Sequence, residues 1–222
     1  MPSPLRIAFF GGSFDPPHLG HLAVARAAQE ALRLDHVLFA PVGSQPLKPK
    51  GATASFAHRL EMTRLAIAGD RGFEISLLDA PHADGAPNYT LDTLHALHEH
   101  LPGADLFLLL GADSFALLRN WRGAAEIPFM ASLVVASRPG QDIGNLTTFL
   151  PPGLRLSDAT IRGELHAYTL KNGSGKTAEF YLLPGLDVPI SASQIRAQTR
   201  AGAPSPLPEA VAGYIHKNGL YQ

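Results

Sequence analysis

Two histidines three positions apart, where an apolar run gives out into glycines, are the residues of this chain best placed to do chemistry. They stand in Gly11-Gly12-Ser13-Phe14-Asp15-Pro16-Pro17-His18-Leu19-Gly20-His21. If a helix opens here, its unpaired first-turn N–H groups and its dipole favour a phosphate. At this spacing His18 and His21 share a helical face and add imidazole donors. Gly11 and Gly12 let backbone approach a ligand closely and adopt positive φ. Pro17 suits a first helical turn, where its missing N–H is no loss. Gly20 leaves room for a flat ring or a ribose on the turn. The chemistry served is charge stabilisation at a polyphosphate. Metal ligation by the two histidines lacks a third ligand, and Pro-Pro-His differs from the H-E-x-x-H pattern.

The elements needed to hold such a turn are legible in order. Leu5–Phe10 reads as a buried strand running into the glycines. From His18 to Leu34 apolar residues recur at helical spacing. His36–Pro41 is a second strand, Phe56–Ala68 a helix with Arg59, Glu61 and Arg64 on its polar side, and Phe73–Leu78 a third strand. Leu91–Leu101 is helical behind Thr90 as N-cap, and Asp105–Leu110 and Ser132–Ser137 are further apolar strands. Gln141 to Ala178, rich in Gly, Pro, Thr and Asn, reads as a surface loop or an extra hairpin. Phe180–Leu183 is one more strand, and Ser193–Arg200 and Leu207–Asn218 close the chain as helices, with Gly219 as the C′ residue. This alternation predicts an α/β fold with a parallel sheet.

Composition narrows the function classes. At 222 residues the chain is long enough for one sizeable domain, and no linker or repeat divides it. Lys plus Arg number 18 against 19 Asp plus Glu, so no global basic field attracts nucleic acid or anionic lipid. Any bound anion must be met by local devices. With no Cys, disulfides, thiolate metal sites and a cysteine nucleophile are excluded. The apolar run Ile7–Phe10 is too short for a signal-peptide core, and Leu106–Ala112 is far below the ~18 residues of a membrane helix. The expectation is a soluble, cytoplasmic protein.

One other segment imitates a phosphate loop. Lys171-Asn172-Gly173-Ser174-Gly175-Lys176-Thr177 ends like a Walker A motif, but Leu170 stands where that motif needs glycine, and a strand rather than a helix follows. It is read as a hairpin turn or loop. His95, His98 and His100 are read as the solvated side of one helix.

The glycine-histidine segment resembles G-x-F-x-P-x-H-x-G-H, the signature of the nucleotidyltransferases related to class I aminoacyl-tRNA synthetases. Within them it is similar to the bacterial nicotinate-nucleotide adenylyltransferases. The likeness recurs along the chain. Asn88-Tyr89-Thr90-Leu91-Asp92-Thr93 is similar to the family's Y-T-[VL]-D-T, and Gly111-Ala112-Asp113-Ser114-Phe115 with Trp121 to its G-A-D-x-[FL]…W. Ser137-Arg138-Pro139-Gly140 matches its R-P-G, Ile190-Ser191-Ala192-Ser193-Gln194-Ile195-Arg196 its I-S-[SA]-[ST]-x-I-R, and Val211 to Tyr221 its closing V-x-x-Y-I-x-x-x-G-L-Y.

The resemblance implies a Rossmann-like doubly wound parallel sheet with flanking helices. It spans a single domain over 1–222, with a loop or hairpin insertion at about 141–178 and closing helices at about 193–218. It implies that nicotinate mononucleotide and ATP are joined into deamido-NAD and pyrophosphate in NAD biosynthesis, with Mg²⁺ carried on the ATP phosphates. His18, His21, Lys48 and Arg196 are then the catalytic donors, with Ser193 as N-cap of the helix that carries Arg196. ATP further meets Gly11, Gly12, Ser13, Phe14, Gly111, Asp113, Ile190 and Ser193, Asp113 either accepting ribose hydroxyls or capping its helix. The mononucleotide meets Ser13, Lys48, Thr90, Trp121 and Arg138.

The sequence departs from the family in two places. Gln45-Pro46-Leu47-Lys48 replaces the usual Pro-Pro-His-Lys, so Lys50 is a second candidate beside Lys48. Arg122 follows Trp121 where an aromatic is usual, a cation suited to an acidic substrate. A sister transferase using nicotinamide mononucleotide or phosphopantetheine, and a non-enzymatic nucleotide-binding module, are the alternatives. Monomer and homo-oligomer are equally compatible with the sequence.

Overall fold

Apolar runs alternating with amphipathic helices bury both faces of a sheet when the strands lie parallel and helices cover each side. The computed structural model describes residues 3–48, 51–137, 146–157, 160–162, 165–183 and 191–222, and has this arrangement. In chain order it contains β1 (Arg6–Gly12), α1 (Leu19–Leu32), β2 (His36–Pro41), α2 (Phe56–Ile67), β3 (Phe73–Ile75) and α3 (Thr90–His100). Then follow β4 (Asp105–Gly111), α4 (Ala112–Ala116), β5 (Ser132–Ala136), β6 (Arg155–Leu156), β7 (Thr160–Arg162), β8 (Leu165–Lys171), β9 (Thr177–Leu183), α5 (Ala192–Arg200) and α6 (Glu209–Lys217). Among the described residues the sheet order is β3-β2-β1-β4-β5-β9-β8-β6, with β7 also on β8. Pairing is parallel from β3 through β9 and antiparallel beyond.

Strand alternation sorts the apolar residues into two cores. Ala8 and Phe10 of β1, Phe107 and Leu109 of β4 and Val134 of β5 face α1, α2 and α6. Ile7 and Phe9, Leu106, Leu108 and Leu110, and Leu133 and Val135 face α3 and the segment after β4. The period of two is what a sheet covered on both sides requires.

Several expectations shift. The third strand ends at Ile75, because the chain turns at Leu77–Ala80, where Ala80 N donates to Leu77 O at 3.0 Å. Segment 141–178 is more than a surface excursion: its described part contributes β6, β7, β8 and the start of β9 to the main sheet. The Walker-like segment is the β8–β9 hairpin turn, with Asn172 Oδ1 accepting from the N–H groups of Ser174 and Lys176. α3 opens one residue early, with Tyr89 as N-cap and Thr90 inside the helix. The N-cap of α5 is Ser191, not Ser193: its Oγ accepts from Gln194 N at 3.2 Å while Gln194 Oε1 accepts from Ser191 N at 3.0 Å, a reciprocal box.

Candidate active site

Strand order reverses between β1 and β4, since β2 and β3 continue from one side of β1 while β4, β5 and β9 continue from the other. Such a switch point leaves a crevice beyond the carboxyl ends of the two strands, where open parallel sheets bind ligands. A cavity of about 570 Å³ lies there, floored by Gly11 and Gly12 of β1 and Leu110 and Gly111 of β4.

The turn after β1 forms one wall. Gly11 and Gly12 end the strand, and the positive φ expected of them falls instead on Phe14, at 45°. The glycines serve through missing Cβ atoms: one on Gly11 would stand 3.1 Å from the Phe9 ring, and one on Gly12 3.3 Å from the Phe14 ring. Phe14 is buried among Phe10, Phe39 and the His21 ring, and this packing holds it in a left-handed conformation. Pro17 precedes α1 rather than opening it, because His18 is extended (φ −143°, ψ 169°) and acts as N-cap. The two imidazoles therefore meet by stacking, centroids 3.7 Å apart, rather than as neighbours on one helical face. His21 Nδ1 accepts from His18 N at 3.2 Å. An acceptor at Nδ1 assigns the neutral ring's proton to Nε2, the nitrogen that can donate.

Two cations complete this wall. Lys48 Nζ donates to Ser13 Oγ at 3.3 Å, and Ser13 Oγ donates to Gln45 Oε1 at 3.2 Å. Burial, and then the charge of Arg196, lower the lysine's pKa, while Asp113 and Asp15 oppose the shift. Arg196, one turn into α5, donates through Nη1 to the Asp15 carbonyl at 2.7 Å and through Nη2 to Ser193 Oγ at 3.2 Å. Gly111 is the N-cap of α4 and Asp113 lies in its first turn, exposed on the cavity lining.

The opposite rim carries Thr90, half-buried in the first turn of α3, and Trp121, half-buried against the α3-side core. Beside them Arg122 pairs with Asp92 at 3.1 Å, its guanidinium 4.7 Å from the centroid of the Tyr89 ring. Arg138, Ile190 and Lys50 lie outside the described residues. Every other expected site residue lines this one cavity.

The sequence reading missed the residues beneath the wall. Arg59, assigned to the polar side of α2, is 2% exposed, and burial lowers its pKa against the pull of Asp15 and Tyr221. Its guanidinium donates to the carbonyls of Ser13 (2.7 Å), Val42 (2.8 Å) and Ala54 (3.3 Å), joining the turn after β1 to both ends of the Lys48 loop. Asp15 is buried as well, accepting from Thr53 N, Ala54 N and the Tyr221 hydroxyl. Asp79, 5% exposed, accepts from Thr93 Oγ1, and burial raises its pKa.

Comparison with known proteins agrees with this geometry. Residues 9–198 match the cytidylyltransferase-like family model. A protein of Gloeobacter violaceus named "Probable nicotinate-nucleotide adenylyltransferase" is 39% identical over 219 residues, covering 97% of this chain and 96% of its own. A protein of Roseiflexus castenholzii with the same name is 39% identical over 221 residues, covering 98% of each. Among solved structures, Plasmodium falciparum nicotinic acid mononucleotide adenylyltransferase complexed with NaAD superposes with a TM-score of 0.71 at 16% identity. It covers 98% of this chain and 97% of its own, a likeness of fold.

Proposed function

The chain belongs to the cytidylyltransferase-like family and, within it, to the nicotinate-nucleotide adenylyltransferases, and we propose that it transfers the adenylyl group of ATP to nicotinate mononucleotide. The observation that carries this reading is the gathering of His18, His21, Lys48 and Arg196 on one wall of the switch-point cavity, with an aromatic rim opposite. Imidazole, ammonium and guanidinium donors suit a triphosphate, and Trp121 offers a face to a pyridine ring.

The mononucleotide's 5′-phosphate attacks the α-phosphorus of ATP in line, the bond to the bridging oxygen breaks, and pyrophosphate leaves. The nucleophile is already an anion, so the step needs no general base and no covalent intermediate. Catalysis then rests on holding both phosphates in line and stabilising charge on the bridging and leaving oxygens. His18 and His21 serve the triphosphate at the turn, Arg196 from α5, and Lys48 spans the two substrates beside Ser13. Thr90 and Trp121 take the pyridine ring, and Arg122 favours an acidic ring over an amide one.

Mg²⁺ carried on the phosphates of ATP would supply charge neutralisation at the leaving group. The wall fits an ion carried in this way. Its cations and imidazoles suit the phosphates, the carboxylate of the turn, Asp15, is engaged by Thr53 N, Ala54 N and Tyr221, and Asp113 is the exposed carboxylate on the same lining.

The test supplies the chain with ATP, Mg²⁺ and one acceptor at a time: nicotinate mononucleotide, nicotinamide mononucleotide or phosphopantetheine. Release of pyrophosphate with formation of deamido-NAD, fastest with nicotinate mononucleotide, is the expected result. ATP binding without pyrophosphate release from any acceptor overturns the proposal.

A further inference from the structure

One buried carboxylate draws together four segments that sequence separates widely. Asp15, 4% exposed, accepts at Oδ1 from Ala54 N at 3.0 Å and from the Tyr221 hydroxyl at 2.7 Å. Its Oδ2 accepts from Thr53 N at 2.6 Å and stands 3.8 Å from Arg196 Nη1. The same Nη1 donates to the Asp15 backbone carbonyl. Thr53 and Ala54 close the loop that carries Lys48, Arg196 comes from α5, and Tyr221 arrives from beyond α6, 206 residues from Asp15.

Tyr221 is an unusual donor for this place. It is 6% exposed, packs in the core shared by α1, α2 and α6, and has φ of +64°, a conformation non-glycine residues adopt only where their surroundings impose it. Burial first, and then its hydrogen bond to Asp15, raise the phenol's pKa, so it donates as a neutral hydroxyl. Asp15 already has two backbone donors and a guanidinium nearby. The third donor adds direction: it holds Oδ1 toward Ala54 and so turns Oδ2 toward Thr53 and Arg196.

We propose that Tyr221 and Asp15 are a positioning pair for adenylyl transfer: the phenol orients one buried carboxylate, which sets both Arg196 and the Lys48 loop against the turn after β1. Neither group touches the reacting phosphates. They act through the two cations on the phosphate wall, Lys48 and Arg196. This inference rests on the adenylyl-transfer reading. In-line transfer is sensitive to small displacements of its donors, so the loss falls on turnover more than on binding.

The test uses the full chain and two variants. Tyr221→Phe keeps the ring in its core and removes only the hydroxyl. Expected is a fall in kcat of about tenfold, with KM for nicotinate mononucleotide within about twofold of wild type and an unchanged circular dichroism spectrum. A variant with wild-type kcat overturns the proposal. So does a loss of rate matched by an equal loss of folded protein.

Asp15→Asn keeps the shape and an acceptor for Tyr221 and Ala54 N, removes the negative charge, and sets an amide NH2 where Oδ2 accepts from Thr53 N. The charged groups facing Lys48 are Arg196, Asp113 and Asp15, and Asp15 is one of the two that favour its protonated form. The alkaline limb of kcat/KM should therefore move to lower pH in Asp15→Asn, which loss of stability alone would not do. A limb that stays in place overturns the proposal, and this readout decides if Tyr221→Phe fails to fold. Absence of adenylyl transfer by the wild-type chain is a different failure and refutes the parent reading instead.

Discussion

The wall that carries Arg196 and the rim that carries Arg122 each set an arginine beside an aspartate, by opposite means. Arg122 and Asp92 approach to 3.1 Å, but each side chain is 55% exposed. Arg196 and Asp15 approach only to 3.8 Å, with side chains 21% and 5% exposed. The closer pair is the looser lock. Water screens the rim pair, and exposed ion pairs contribute about 0–1 kcal/mol. The wall pair is one strand of a buried net in which Asp15, Arg59 and Arg196 are tied to backbone from three segments. The wall thus has one geometry, suited to stabilising a transition state, while the rim adjusts to the ring it meets.

The sharpest way to break this comparison is His21→Ala. Removing a fixed donor from a preorganised anion site costs on the order of 10²–10³ in turnover, or about 2.7–4 kcal/mol. That loss is expected in kcat, measured by pyrophosphate release on the folded variant, and it should far exceed the modest fall in melting temperature that comes from losing the cap on His18 N. Near-normal turnover would mean that the wall does not act on the phosphates.

Lys48→Ala should cost somewhat less, about 10² in kcat/KM, because Arg196 still faces the same phosphates. Wild type should show a matching pH effect. Burial lowers the Lys48 pKa, so its charge, and with it kcat/KM, is lost as pH rises through a value below that of a free lysine. The alkaline limb should vanish in Lys48→Met. A limb that persists there belongs to some other group.

How much of this was legible in the sequence follows from how local each feature is. The place of the turn after β1 and of its histidines, and the alternation of strands and helices, are set by neighbouring residues and could be read; the turn's backbone, with its positive φ on Phe14 and its stacked imidazoles, could not. One displaced cap, that of α5, was also written in the sequence. Ser191 and Gln194 have capping-box spacing, and choosing Ser193 overlooked that pattern. Arg59 had a signal too: the buried residues of α2 are Arg59, Met62, Thr63, Ala66 and Ile67, a regular helical face that begins with a guanidinium. Tyr221 had none. Its hydroxyl matters only because the chain closes on itself across 206 residues, and no periodicity encodes that contact. The same is true of the sheet order and of the antiparallel extension beyond β9 by β8, β6 and β7.

At the rim the expected effect is smaller and falls on choice rather than rate. Arg122 is the cation among the described lining residues on the side of Thr90 and Trp121, while Lys48 and Arg196 stand on the phosphate wall. Arg122→Ala should lower kcat/KM for nicotinate mononucleotide about three- to fivefold, the worth of a solvent-screened charge pair. The value for nicotinamide mononucleotide should hardly change, which sets the ratio of the two as the quantity to measure. Equal losses for both would make Arg122 a brace for Tyr89 rather than a reader of the ring. A loss approaching that of His21→Ala would erase the distinction between rim and wall.

The smallest expected effect lies at the seam between the two regions. Asp79 accepts from Thr93 of α3, on the rim side, while its backbone carbonyl accepts from Gly43 N, on the side of the Lys48 loop. Burial raises its pKa more than the Thr93 hydrogen bond and His82 lower it. A carboxyl whose folded pKa is raised adds stability below its unfolded pKa and loses that contribution as pH rises through the folded value. At neutral pH the buried Asp79 is therefore a net cost to stability, accepted for the link it makes. Asp79→Asn keeps an acceptor for Thr93 and removes the charge. It should match wild type in acid and melt higher at pH 7, by about 2–4 °C for each kcal/mol relieved. If the variant instead melts lower at pH 7, the carboxylate is held by His82 as an ion pair, and wall and rim are joined by charge rather than by the hydrogen bond to Thr93.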